Sequence, residues 1–172
     1  MVSGTGGGGC DTSQSICGLN WSLASKTSHL SNMMNPNDAT KGGYVAVVEW
    51  PSGKLIKKIE NVTSPSPTGS TSPMAHQTAM TADGKYLYVT YGIDGAVAKV
   101  DVAAGTIQKY PVGKEPHAMV ISADGKTAYI TVRHEPVENE SSIFIYDVTK
   151  DQVTGRIPGI PAPLACGLIV AP

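Results

Sequence analysis

The chain has 172 residues and a formal charge of −1, so it carries no basic surface of the kind that binds nucleic acid or anionic lipid. This length suits one domain with its own core. The composition has 19 Gly and 12 Pro against a single Phe, which favours short strands and many turns over helices, and no apolar run is long enough to span a membrane.

Residues 1–42 form a poorly defined segment rich in Gly, Ser, Thr and Asn. The segment lacks the charged start and apolar core of an intact signal peptide. The glycine run at residues 4–9 follows no strand and opens no helix, so it predicts a flexible end rather than a phosphate-binding loop. Residues 17–25 alternate loosely, and they fit either an irregular stretch or the inner strand of a first sheet.

Residues 43–61 predict a hairpin. A β-branched and aromatic run that starts at Tyr44 leads to a turn ending in Gly53, and a strand that mixes apolar side chains with lysines follows. Residues 63–73 are rich in Ser, Thr and Pro and predict a long exposed loop.

Two later stretches repeat each other with a period of about forty residues. The first, from His76, reads HQTAMTADGKYLYVT, and the second, from His117, reads HAMVISADGKTAYIT. Each begins a unit of four predicted strands joined by short turns. The hairpin at residues 43–61 matches the second half of these units, because Glu49 stands where they have Asp101 and Asp147.

A period of this length with alternating strands and no helix predicts four-stranded sheets stacked radially, which is an all-β β-propeller with antiparallel blades. The chain supplies about three and a half blades, so the ring is incomplete. The predicted parts are a half blade at residues 43–61, full blades at 76–112 and 117–158, and the inner strand of a further blade at 163–172, with 1–42 either outside the blades or part of the first.

The repeat also resembles a known family. Its unit P-H-A-x-x-x-S-A-D-G-K-x-x-Y-I-T, followed by a strand ending in D-V and by V-G or P-G, resembles the YVTN-type β-propeller repeat over about residues 43–170. The resemblance implies an exported protein with an extracellular, cell-surface or periplasmic location. Relatives of the fold include haem- and copper-containing periplasmic oxidoreductases.

The blade count predicts a partner. Propellers of this kind close with about six to eight blades, and an open arc would leave an apolar face exposed to solvent at each end. We therefore expect other protein chains to complete the propeller, either copies of this chain or different ones, unless the sequence is a piece of a longer protein.

The innermost strands carry candidate metal ligands. His76 and His117 occupy equivalent positions at strands that line the channel of a propeller, and Met119 lies close to His117 in sequence. Imidazole and thioether groups suit copper, and a histidine can also ligate haem. The alternative is a structural role, because the next unit has Pro163 or Leu164 at this position.

Two further polar groups are candidates of less specific chemistry. An acidic cluster follows His134 on a predicted loop. Its carboxylates offer oxygen ligands for a hard cation, although a solvated loop explains them equally; the residues are Glu135, Glu138 and Glu140. Asp83 and Asp124 stand beside glycine, so we interpret them as turn residues rather than catalytic carboxylates.

Three cysteines allow one disulfide, and the close pair Cys10 and Cys17 is the predicted bridge, which leaves Cys166 as a small buried residue. Export would also make Asn61 and Asn139, both on predicted loops, acceptors for glycosylation.

The sequence contains no G-x-S-x-G, H-E-x-x-H, P-loop or dinucleotide motif. It therefore favours a non-enzymatic scaffold or protein–protein interaction module, exported or envelope-associated, that completes its ring or fibre with other chains. The alternative is a propeller subunit or fragment of a metal- or haem-dependent periplasmic oxidoreductase whose channel-facing histidines bind the cofactor.

Overall fold

The computed structural model describes residues 16–22, 27–32, 44–49, 51–60, 75–92, 95–135 and 140–160, which contain strands and no helix. The strands are β1 (Ile16–Ser22), β2 (Thr27–Asn32), β3 (Val45–Glu49), β4 (Leu55–Ile59), β5 (Ala75–Met80), β6 (Tyr86–Tyr91), β7 (Ala96–Asp101), β8 (Ile107–Pro111), β9 (Glu115–Ile121), β10 (Thr127–Arg133), β11 (Ser141–Asp147) and β12 (Gln152–Ile160). With no helix described, no membrane-crossing helix is found in these ranges.

The strands form three four-stranded antiparallel sheets in chain order, which we call blade A (β1–β4), blade B (β5–β8) and blade C (β9–β12). Strand β5 contacts β1 on one side and β9 on the other, so the first strands of the blades are neighbours and the sheets radiate from them. The predicted all-β fold of four-stranded antiparallel blades in an incomplete ring is confirmed.

Blade A takes its two inner strands from the segment in which the sequence showed no firm pattern. Strand β1 is the innermost and includes Cys17 and Asn20, and β2 links it to the hairpin of β3 and β4. These two strands lacked a clear sequence signal because the β1–β2 connection has no Asp-Gly turn, whereas both other blades have one there.

Those two Asp-Gly turns are built alike. In the first, the Thr81 hydroxyl donates to the Asp83 carboxylate at 2.6 Å and the Lys85 N–H donates to the same oxygen at 3.0 Å. The turn at Asp124 repeats these contacts, with Ser122 in place of Thr81. These hydrogen bonds lower the pKa of both carboxyl groups. The two aspartates therefore serve the turns.

Side chains on alternate positions of a strand pack against different neighbouring blades. We call the face that points to the next blade along the chain the leading face, and the opposite face the trailing face. In blade B, Tyr88 and Val97 are on the leading face and pack against blade C, whereas Leu87 and Val89 are on the trailing face and pack against blade A. All four side chains are fully buried.

The core is therefore a pair of interblade layers. The A/B layer joins the leading face of blade A to the trailing face of blade B through small aliphatic groups, which are Val45, Val47, Ile59, Leu87, Val89, Ala96, Ala98 and Val100. The B/C layer is richer in aromatic rings and includes Tyr88, Val97, Met119, Ala128, Ile130, Val132, Phe144 and Tyr146. Each large apolar side chain buried this way stabilises the fold by about 1.5–3 kcal/mol.

A β-bulge interrupts the innermost strand of blades B and C, next to His76 in one and His117 in the other. A threonine from the second strand fills each bulge: Thr90 accepts a hydrogen bond from the Gln77 N–H at 3.1 Å, and Thr131 accepts one from the Ala118 N–H at 2.9 Å. The Thr90 hydroxyl also donates to the His117 carbonyl at 2.5 Å, which ties blade B to blade C. The threonine of the repeated Tyr-Val/Ile-Thr motif is thus structural.

Candidate functional site

The channel-side end of blade C carries a cluster of charged and titratable side chains. His117 lies in the bulge of β9, and burial, assisted by the positive charge of Arg133, lowers its pKa from 6.5 to about 4. The imidazole is therefore neutral at ordinary pH, which is the form that hydrogen-bonds as a donor–acceptor pair or ligates a metal.

Glu115 holds this cluster together. One of its carboxylate oxygens pairs with Arg133 at 2.7 Å, and the other lies 3.1 Å from His134 Nε2. All three side chains are mostly buried, which strengthens these contacts relative to surface ion pairs. His134 adopts a left-handed backbone conformation, with φ of 58°, directly after β10. The end of β10 is thereby fixed to the start of β9.

The described residues of the acidic loop do not gather as a cation site would. Glu135 accepts a hydrogen bond from the Lys114 N–H at 3.0 Å and lies 4.0 Å from Arg156, whereas His134 faces Glu115. Glu138 lies outside the described residues. Across the described ranges, no group of three or more His, Cys, Asp or Glu side chains is placed to hold a metal ion.

The predicted metal ligands are only partly placed. Met119 is 1 % exposed and packs in the B/C layer among aliphatic and aromatic side chains, which is the environment of a core residue. His117 lies on the innermost strand β9, at its bulge, but the His76 side chain lies outside the described part of the structure. The same holds for the candidate disulfide of Cys10 with the Cys17 side chain, for Cys166, and for the glycosylation candidates Asn61 and Asn139.

A second cluster lies between blades B and C and is centred on Asp151. Its carboxylate accepts hydrogen bonds from the hydroxyl groups of Tyr88 at 3.0 Å and Tyr146 at 3.3 Å, and it pairs with Lys99 at 2.6 Å. The Lys99 ammonium also lies 4.5 Å from the centre of the Tyr86 ring. Burial, followed by the negative charge of Asp151, raises the pKa of both Tyr88 and Tyr146, so their hydroxyls stay protonated as donors.

Asp151 occupies a position where the other blades have glycine. It follows Asp147 by four residues, as Gly53 follows Glu49 and Gly105 follows Asp101. The backbone is left-handed at all three positions, with φ of 52° at Asp151, 70° at Gly53 and 74° at Gly105. Aspartate tolerates this conformation better than most residues, but glycine adopts it without strain. In the sequence, the signal for this cluster is that Asp151 replaces the glycine found at the equivalent position of the other two repeats.

A pH dependence of stability follows from His117. Because its pKa is lowered in the folded state, the unfolded chain binds more protons between about pH 6.5 and 4, so this contribution is complete above pH 6.5 and is lost as the pH falls through about 4. We expect the free energy of unfolding to fall by at most about 1.4 kcal/mol per pH unit in this window. Urea titrations from pH 7 to pH 5 measure it.

The matched variant for that experiment is His117→Gln, which removes the titrating group. The free energy of unfolding of this variant is expected to change less steeply with pH than that of the parent chain. The difference in slope corresponds to the uptake of about one proton on unfolding. Parallel slopes for the two proteins would show that His117 does not titrate abnormally.

Comparison with known proteins supports the fold class. No protein-family model and no curated protein matches the chain. Among solved structures, Kuenenia stuttgartiensis hydrazine synthase matches with a TM-score of 0.65 at 23 % identity, covering 87 % of this chain and 37 % of that one. The WD40 repeats of RRP9 match with a TM-score of 0.61 at 15 % identity, covering 84 % of this chain and 39 % of that one. A eukaryotic initiation factor matches with a TM-score of 0.56 at 14 % identity, covering 83 % of this chain and 32 % of that one.

At these identities the likeness shows the fold alone. WD40 repeats are propeller blades of four strands, so the chain is a set of β-propeller blades. It spans less than two-fifths of the length of the three solved chains named above.

Proposed function

We propose that this chain is a β-propeller scaffold or interaction module of an exported or envelope-associated protein, which completes its ring or fibre with other chains. The observation that carries the proposal is the leading face of blade C. By strand register this face presents Val120, Tyr129, Ile143, Ile145 and Ile157 away from blade B.

The same register positions are buried in blade B. Val97 and Tyr88 are fully buried there by blade C, whereas their equivalents Ile143 and Tyr129 are partly exposed. Ile157, which pairs with Ile143 in the sheet, is 48 % exposed. Among the described residues, no sheet covers the leading face of blade C as blade C covers that of blade B.

Apolar side chains in this pattern favour a covering blade. Repeat proteins bury each unit against its neighbours, and their terminal units need polar outer faces to remain soluble alone. A contiguous apolar patch on a surface typically marks an interaction site. A further blade from another chain would bury the face in the way that the B/C layer is buried.

A charge placed on this face tests the proposal. We expect Ile143→Glu to lower the sedimentation coefficient of the native protein, because the carboxylate would be buried without a partner in the interface. Ala82→Glu, on an exposed position of the β5–β6 turn of blade B, adds the same charge away from this face and is expected to leave the sedimentation coefficient unchanged. Equal behaviour of the two variants would contradict the proposed role of the face.

The proposed location depends on the resemblance of the repeat to the YVTN type, and so does the proposed membership of that family. Fractionation of cells that express the natural gene tests the location. Recovery in the extracellular, surface or periplasmic fraction is expected, and recovery with cytosolic markers would contradict it.

A second candidate is a subunit or fragment of a metal- or haem-dependent periplasmic oxidoreductase. Its support is the neutral imidazole of His117 at the bulge of an innermost strand, although the Met119 side chain is buried in the B/C layer. Copper titration and an optical spectrum of the purified protein test this role. A folded, colourless protein that binds no copper would exclude it, and copper binding lost in His117→Ala would favour it.

A further inference from the structure

The three described blades make two interblade contacts, A/B and B/C, which differ at one position on the leading face. In the A/B layer that position is Val47, and in the B/C layer it is Lys99. The two residues are equivalent because each stands two residues before the end of the third strand of its blade. At this position one contact is therefore apolar and the other is charged, although the A/B contact also has a hydrogen bond from the Lys57 ammonium to the Ala103 carbonyl at 2.9 Å.

The residue that differs on the leading face is accompanied by a difference in the next blade, in the turn between its third and fourth strands. Opposite Lys99, blade C presents Asp151, and the two charges pair at 2.6 Å with side chains that are only 15 % and 12 % exposed. In the A/B contact blade A carries Val47, and the equivalent turn residue of blade B is Gly105. A buried charge without its partner is costly, so Lys99 requires Asp151 across the interface, whereas Val47 leaves no charge to be paired at the Gly105 turn.

The two faces at the ends of the described arc, which no described sheet covers, have the same combination as the A/B contact. At this position the leading face of blade C carries Ile145, whose Cδ1 lies over Gly155 within its own sheet. The turn of blade A carries Gly53, and a Cβ built there would meet no atom within 4 Å. Ile145 and Gly53 thus form the aliphatic and glycine combination of the A/B contact.

The trailing face of blade A also matches that of blade B. Ala46 and Val48 stand at the register positions of Ala98 and Val100, which contribute to the A/B layer. The leading face of blade C carries Ile143, at the position of Val45 in the same layer. By register, the leading face of blade C and the trailing face of blade A therefore match the two halves of an A/B-type contact. In the single chain Val48 is half-buried and Ala46 is 9 % exposed.

Resting on the proposed function, we propose that the chain covering the leading face of blade C is a second copy of this one, bound through the trailing face of its blade A. The reciprocal contact between the other two free faces closes the ring with two-fold symmetry. Two copies of the three described blades give six, a usual number for a propeller, whereas three copies would give nine, above the typical range of about four to eight.

A complementary pair of charge variants tests this assignment. Ile145→Lys introduces a cation opposite Gly53, and Gly53→Asp introduces an anion opposite Ile145, so each variant alone is expected to weaken the homodimer by about 100-fold or more. Mixed together, the two variants form a heterodimer in which one interface has a Lys–Asp pair like that of Lys99 and Asp151, and the other keeps Ile145 against Gly53. Native mass spectrometry is expected to show this heterodimer at about the parental affinity.

Like charges provide the control. A mixture of Ile145→Glu with Gly53→Asp is expected to remain monomeric, and circular dichroism of each variant verifies that the blades are folded. A parental dimer that neither single variant weakens, or a mixture without rescue, would overturn the second copy at these faces and leave association by another route intact. A folded parental chain that stays monomeric at every concentration would overturn the second copy, and the proposed function would then require a different chain as the partner.

Discussion

Asp151→Ala is expected to lower the free energy of unfolding by about 3–5 kcal/mol, because it leaves the Lys99 ammonium and the Tyr88 hydroxyl buried between two blades without their acceptor. Asp151→Gly is expected to cost about 1 kcal/mol less than Asp151→Ala, since glycine relieves the left-handed backbone, where φ is 52°. Urea denaturation of the three proteins measures both effects.

The double variant Lys99→Ile with Asp151→Gly is the control for that experiment. It recreates the combination found at Val47 and Gly105 in the A/B contact, so much of the stability lost in Asp151→Gly is expected to return. If Asp151→Ala costs less than about 1 kcal/mol, or if the double variant is no more stable than Asp151→Gly, the charged pair does not hold the two blades together.

Gly95→Ala is expected to destabilise the fold by about 4 kcal/mol or more, or to prevent folding. A methyl group there would lie 2.2 Å from the Gly113 carbonyl oxygen, on a backbone whose φ is 60°. The clash is with main-chain atoms at the junction of blades B and C, where the N–H groups of Val112 and Gly113 donate to the Gly95 carbonyl. The clash therefore cannot be relieved by rotating a side chain.

Gly105→Ala separates this clash from the cost of the backbone conformation. Its φ is 74°, and an added Cβ would meet no atom within 4 Å, so the expected cost is only about 1–2 kcal/mol. Thermal denaturation of both variants gives the comparison. Similar losses of stability at the two sites would show that the close approach of Gly95 to Gly113 is not a feature of the folded protein.

Much of the fold could be predicted because its signals are local. The Asp-Gly turns at Asp83 and Asp124 determine which strands pair in blades B and C, and their hydrogen bonds all lie within five residues. The hairpin of blade A has the same kind of local information in its turn at Gly53. The first two strands of blade A lack such a turn, so periodicity alone could not decide whether this segment forms strands.

The polar clusters could not be predicted from local patterns. Asp151 meets Lys99 from 52 residues away and Tyr88 from 63 residues away, so only the stacking of two blades brings them together. Glu115 likewise meets Arg133 because neighbouring strands of blade C place their ends side by side. The repeat pointed instead to its most regular polar residues, His76 and His117.

The native mass of the unmodified chain, measured by sedimentation equilibrium over a range of concentrations, tests most directly whether the exposed leading face of blade C is an interface. Each chain contributes 17.9 kDa, so the second-copy assignment predicts a species of twice that mass. A folded species of a single chain's mass at every concentration would contradict it.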